Sequence, residues 1–197
     1  MKNTALPVPK PITLKADKSA VLVLDGSRRW GDPQLPCHKL VPGMRCLLDR
    51  ARDAGLPIIY TVSFQKRGTP EGEVYSGLGR KPSEPVIYPD SFDKFAGGEL
   101  QSYLSFYGVE SLIVTGYRSN ICVLHTATTA ARQLKYRVVI PLDGMAALSQ
   151  YEQDYTLFHF KVLPKQAAER FAFTTLEMIG FEAASAGCTA FQKNVPK

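Results

Sequence analysis

The chain has 197 residues, 45% of them hydrophobic and 21% charged, the profile of a globular protein and not of a disordered or fibrous one. Its formal charge of +6 comes from 24 Lys and Arg against 18 Asp and Glu, but the basic residues lie in ones and twos (Arg28-Arg29, Lys66-Arg67, Arg80-Lys81) with no basic block and no zinc-finger or RNA-recognition signature, so nucleic acid is not an expected partner. The first eighteen residues hold Pro7, Pro9 and Pro11 without an apolar run, and no stretch approaches the length of a membrane span, which predicts a cytoplasmic protein with no membrane partner.

Taken in chain order, short β-branched runs alternate with helical stretches, the pattern of βαβ units around a parallel sheet. The continuous apolar run Ala20 to Leu24 predicts a strand covered on both faces. Val41 to Ala54 carries Met44, Leu47, Leu48 and Ala51 at helical spacing and stops at Gly55, and a strand over Pro57 to Val62 follows. Phe64 to Pro85 is rich in Gly, Pro, Lys and Glu with no apolar period, so a long excursion is expected there, a lid or a subunit contact. Val86 to Tyr88 predicts a short strand, Glu99 to Tyr107 a helix closed by Gly108, and Ser111 to Thr115 a strand. Gly116 to Ile121 reads as a turn opening a helix that runs to Leu134, with a strand from Tyr136 to Ile140 after it. A helix around Glu152 to Val162, a β-rich piece at Phe171 to Phe173, a helix from Thr175 and a weakly patterned tail complete the chain.

These elements predict one α/β domain over residues 1–197, with its core at about 18–181: a three-layer arrangement, a mostly parallel sheet with helices on both faces. In such sheets ligands bind beyond the carboxyl ends of the strands. That rule selects Asp25, the stretch Pro89 to Phe95, and Gly116 to Cys122.

Asp25 ends an apolar strand, where partial desolvation suits a carboxylate to proton transfer; the alternative is a capping or turn aspartate. Cys122 follows a glycine turn at the expected start of a helix, where backbone N–H groups favour a thiolate and can bind an oxyanion; the alternative is a small buried hydrophobe. His125, three residues on, offers a cysteine–histidine dyad or a plain surface histidine. In the loop after Asp25, Trp30 can wall a pocket and an arginine such as Arg28 can hold a carboxylate; the alternative is a solvated loop with one packed tryptophan. Neither the four cysteines (Cys37, Cys46, Cys122, Cys188) nor the three histidines have metal-ligand spacing, so no metal and no other cofactor is expected. Free thiols fit a reducing compartment.

The stretch Val114 to Ala131, VTGYRSNICVLHTATTAA, with AVLVLD before it and VVIPLDGMAA after it, resembles the nucleophile segment and flanking strands of the isochorismatase-like superfamily. The resemblance covers most of Ala20 to Ala147. It implies a hydrolase, often a dimer or tetramer, that uses an aspartate, a lysine and a cysteine: Asp25 for proton transfer, Cys122 as nucleophile, the backbone N–H groups of Arg118 and Cys122 as oxyanion hole, Tyr117 beside the substrate, and a cis peptide between Tyr117 and Arg118. Aligning the family's phenylalanine with Phe95 puts Pro89 where the lysine is expected. Lys94 is the nearest replacement, with a solvated loop lysine as the alternative reading of that residue. The expected activity is metal-independent hydrolysis of a small amide or related C–N bond through a Cys122 thioester. Vinyl ether hydrolysis of the isochorismatase type, or a non-catalytic binding protein on the same fold, are the alternatives.

Overall fold

The computed structural model describes residues 5–182. Strand β1 (Ile12–Lys15) precedes β2 (Ser19–Leu24), and helix α1 (Val41–Asp53) leads to β3 (Ile58–Thr61). Strand β4 (Val86–Ile87), helix α2 (Glu99–Phe106) and strand β5 (Ser111–Tyr117) follow, then helix α3 (Leu124–Arg132), β6 (Arg137–Pro141) and the short β7 (Met145–Ala146). Helices α4 (Gln150–Val162) and α5 (Lys165–Ala168), then β8 (Phe171–Thr174) and β9 (Ile179–Glu182), end the described chain.

The main sheet has the order β4-β3-β2-β5-β6-β8, with β7 added alongside the end of β5, and every pairing is parallel. Alternation along β2 divides the core. Ala20, Leu22 and Leu24 pack with Leu100 and Leu104 of α2, Ala127 and Ala131 of α3, and Phe160 of α4. Val21 and Val23 pack on the other side with Met44, Leu47, Leu48 and Ala51 of α1. Helices thus cover both faces, which is why β2 is buried at every residue and reads as an unbroken apolar run.

From β2 the chain winds outward through β3 and β4, then returns to the other side of β2 and winds outward again through β5, β6 and β8. The order reverses between β2 and β5, and the loops leaving these two neighbours diverge there, opening a crevice at their carboxyl ends. Asp25 and Cys122 follow those two strands.

Three features of the structure depart from the sequence expectation. The segment from Thr175 is not a helix: Met178 N–H turns back to Thr175 O, Leu176 N–H donates to Asp143 Oδ1, and β9 follows. Arg50 donates to the carbonyls of Leu176 (2.5 Å) and Ile179 (2.6 Å), supplying from α1 the partners a helix would have supplied internally. The proline-rich start contains a strand, β1, which pairs in parallel with β9 as a separate two-stranded sheet. Finally, β5 runs on through Gly116 and Tyr117, and one π-helical turn, Ser119–Val123, intervenes before α3. The excursion over residues 64–85 is pinned to the loop after β2, with Val74 bridging Ser27 and Tyr75 N–H donating to Gly26 O at 3.0 Å. No helix among the described residues is long and apolar enough to cross a membrane.

Candidate active site

Asp25 sits in the left-handed region, with φ of 53°, a conformation that aspartate tolerates better than most residues but that still costs about 1 kcal/mol or more. Two hydrogen bonds hold it there. Its N–H donates to Thr61 Oγ1 at 3.1 Å, and its carbonyl accepts from Trp30 Nε1 at 2.9 Å. Trp30 is fully buried, so its role is to fasten the backbone of Asp25 from below and not to wall the cleft. Arg28 is exposed and does not line the cleft either. Of the three residues expected to touch substrate, Tyr117 alone lines it, joined by Arg29.

The end of β5 is built by close approach. At Gly116, with φ of 134°, a Cβ would lie 2.3 Å from Leu24 O, so only glycine lets β5 pass the end of β2 this tightly. The next peptide bond, Tyr117-Arg118, is cis. Val123 N–H then donates to Arg118 O at 3.3 Å, closing the π-helical turn around Cys122. Arg118 is fixed from α4: its Nη2 lies 2.9 Å from Glu152 Oε1, which also accepts from Asn120 Nδ2 at 3.1 Å. Glu152 closes a capping box with Ser149 at the start of α4, so one carboxylate both caps a helix and steadies the turn beside the thiol.

Lys94 is no solvated loop lysine. Its side chain is 2% exposed and its Nζ lies 3.0 Å from Asp25 Oδ1, with Asp25 itself 17% exposed. The loop reaches this position because α3 holds it: Lys94 N–H donates to Thr126 Oγ1 at 3.1 Å, and Thr129 Oγ1 donates to Asp93 Oδ2 at 2.6 Å. Lys94 Nζ also donates to Ser91 O at 3.2 Å. Pro89 lines the mouth of the cleft, and the cation beside Asp25 is Lys94, not a residue at the Pro89 position.

Asp25, Lys94 and Cys122 therefore converge in one cleft of about 510 Å³, also lined by Ser63, Gln65 and Lys66 from the loop after β3. Cys122 is 7% exposed. Burial, and then the charge of Asp25 and its hydrogen-bond acceptance, push the thiol up to about 12, while Lys94 and the Arg118 backbone N–H pull it down. The thiol is thus held above its ordinary value, opposite to the pull of the backbone N–H groups on which the helix-start reading rested. The physical reason is that desolvation in this enclosed turn outweighs the nearby donors. His125 takes no part: it is exposed, and its Nδ1 bonds Ile121 O at 2.7 Å. Among the described residues no group of three or more His, Cys, Asp or Glu could hold a metal; Cys188 lies outside them.

A buried thiol, a carboxylate to take its proton, an ammonium paired with that carboxylate and backbone N–H groups beside the sulfur are the parts of nucleophilic acyl transfer. A family model described as the isochorismatase domain matches residues 19–172. The chain is 27% identical over 145 residues to a secreted isochorismatase effector of Verticillium dahliae, covering 68% of this chain and 76% of that one. It is 36% identical over 136 residues to a streptothricin hydrolase of Streptomyces noursei, covering 64% of this chain but only 49% of that one. Among solved structures, a cysteine hydrolase from Pseudomonas syringae pv. phaseolicola superposes with a TM-score of 0.71 at 19% identity, over 90% of this chain and 95% of that one. The nicotinamidase of Staphylococcus aureus does so with a TM-score of 0.68 at 24% identity, over 80% and 97%. Both share the fold.

Proposed function

This chain belongs to the isochorismatase family of hydrolases, and we propose that it is a metal-independent cysteine hydrolase of a small amide or related C–N bond, acting through a thioester on Cys122. The observation that carries this reading is the convergence of Lys94, Asp25 and Cys122, with the ammonium 3.0 Å from the carboxylate. The relatives named as hydrolases and amidases, among them an N-carbamoylsarcosine amidase of Arthrobacter at 25% identity, support the same chemical class.

Burial first, and then the Asp25 carboxylate beside it, hold the Cys122 thiol well above its ordinary value, so the free thiolate is disfavoured. Proton removal and attack therefore proceed together. As the sulfur of Cys122 approaches the amide carbonyl, Asp25 takes the thiol proton and the N–H groups of Arg118 and Cys122 bind the developing oxyanion. Collapse breaks the C–N bond, Asp25 returns the proton to the leaving amine, and a thioester remains. Water then attacks the thioester with Asp25 again as base; the C–S bond breaks, the acid leaves, and the sulfur recovers its proton. Lys94, its ammonium 3.0 Å from Asp25 Oδ1, holds the carboxyl group in place between these proton transfers.

The test is amine or ammonia release from a panel of small amides by wild type and Cys122→Ala. Loss of release in the variant is expected; full retention would exclude Cys122 as the nucleophile, whereas cleavage of a vinyl ether by both proteins with no amine released from any amide would point to proton-initiated chemistry on Asp25 instead. The free state of Cys37, Cys46 and Cys122 supports a reducing compartment such as the cytosol. A homo-oligomer is supported by α4, whose outward face carries Tyr151 (78% exposed), Tyr155, Phe158 and Val162 at helical spacing, an apolar stripe unusual for a surface that stays in water. Sedimentation velocity of wild type and Phe158→Glu tests it, with a shift to monomer in the variant expected.

A further inference from the structure

The charges lining the cleft are not balanced within the protein. Lys94 is paired with Asp25, and Arg118 with Glu152. Asp90 accepts from a neutral donor, Gln65 Nε2, at 2.6 Å. Arg29 and Lys66 also line the cleft, and neither has a carboxylate partner among the described residues. Two unpaired cations against one carboxylate leave the cleft with a surplus positive charge.

Of these two cations, Arg29 is the one held in place. Its guanidinium carbon stands 5.1 Å from the centroid of the Tyr117 ring, and Tyr117, 2% exposed, cannot swing away. Stacking on an aromatic face immobilises the guanidinium while leaving its edge N–H groups free for two parallel hydrogen bonds to a carboxylate. Tyr117 is joined directly to Arg118, whose N–H faces the Cys122 sulfur. The ring that holds Arg29 is therefore the chain neighbour of Arg118, and Arg29 and Cys122 line the same cleft, which is sized for a small molecule.

Resting on the reading of the site as a Cys122 amidase, we propose that Arg29 is its specificity determinant and that the substrate is a small amide bearing a carboxylate, which Arg29 grips while the amide carbonyl faces Cys122. A cationic amide would be repelled by Arg29 and Lys66, and a neutral one would leave the guanidinium unmatched.

The experiment compares kcat/KM for succinamate and glutaramate with that for the neutral amides butanamide and pentanamide, in wild type, Arg29→Met and Arg29→Lys. Arg29 is exposed, so its replacement removes no buried side chain. A charge-assisted contact of this kind gives wild type an acid-over-neutral preference of about 10- to 100-fold. That ratio falls to near one in Arg29→Met, mainly through KM, and survives in part in Arg29→Lys. An absent preference in wild type, or one that persists in Arg29→Met, overturns the assignment while Cys122-dependent turnover keeps the hydrolase reading intact. If no amide is turned over, the hydrolase reading suffers and Arg29 is judged alone: succinate and glutarate should slow iodoacetamide alkylation of Cys122 in wild type and not in Arg29→Met, and absence of protection in wild type overturns the proposal.

Discussion

Replacing Asp25 by Asn should move the reactivity of Cys122 and the activity of the protein in opposite directions. The thiol lies at about 12 because of burial first and the Asp25 carboxylate second, with Lys94 pulling the other way. Asn removes the negative charge and leaves the Lys94 ammonium facing the sulfur without its partner. A neighbouring charge of this kind shifts a pKa by about 1–3 units, so the thiolate fraction at pH 7 should rise roughly 10- to 1000-fold. Alkylation by iodoacetamide, followed peptide by peptide with exposed Cys46 as internal reference, should accelerate at Cys122 accordingly. Turnover should meanwhile fall by about 10²- to 10⁴-fold, the usual worth of a positioned proton-transfer group. A variant that keeps its turnover, or whose Cys122 alkylates no faster than wild type, would refute the assignment of Asp25 as the base that suppresses the thiolate.

Lys94→Met has the reverse sign at the thiol: losing the group that lowers the Cys122 pKa pushes it further up, so alkylation slows and turnover is lost. Because Lys94 is 2% and Asp25 17% exposed, breaking the pair strands a largely buried carboxylate and should cost about 3–5 kcal/mol, read as a melting temperature lower by roughly 10 °C. Gly116→Ala forces a Cβ to within 2.3 Å of Leu24 O at a positive φ; thermal unfolding should show a loss of about 2 kcal/mol or more, and unchanged stability would mean that β2 and β5 part easily.

What the sequence made legible follows from how strongly each signal is local. The run AVLVL and the spacing of Met44, Leu47, Leu48 and Ala51 are properties of neighbouring residues, and β2 and α1 appear where they predict. The carboxyl-end rule likewise selected Asp25 and Cys122, because position after a buried strand is written in the chain order. Lys94 was legible as the nearest replacement for the family lysine, but the sequence left a solvated loop lysine open beside that reading. Its path depends on Thr126 and Thr129, 32 and 36 residues away from the loop positions they hold, and no periodicity encodes that. Trp30 misled for a related reason: an aromatic beside a catalytic loop suits a pocket wall as well as a buried clamp, and its hydrogen bond to Asp25 O decides between them. The apolar spacing of Leu176 and Ile179 imitates a helix, and only Arg50 of α1 and the pairing of β9 with β1 overrule it. The upward position of the Cys122 thiol is a matter of burial, which the motif alone does not state.

The most direct measurement is mass spectrometry of the intact protein quenched during turnover of an acid-bearing amide, followed by peptide mapping. The account predicts an adduct of one acyl group on Cys122, formed and cleared at the rate of product release, and absent in Cys122→Ala. Product formation at full rate in Cys122→Ala, or turnover in wild type with the acyl group never carried by Cys122, would contradict it.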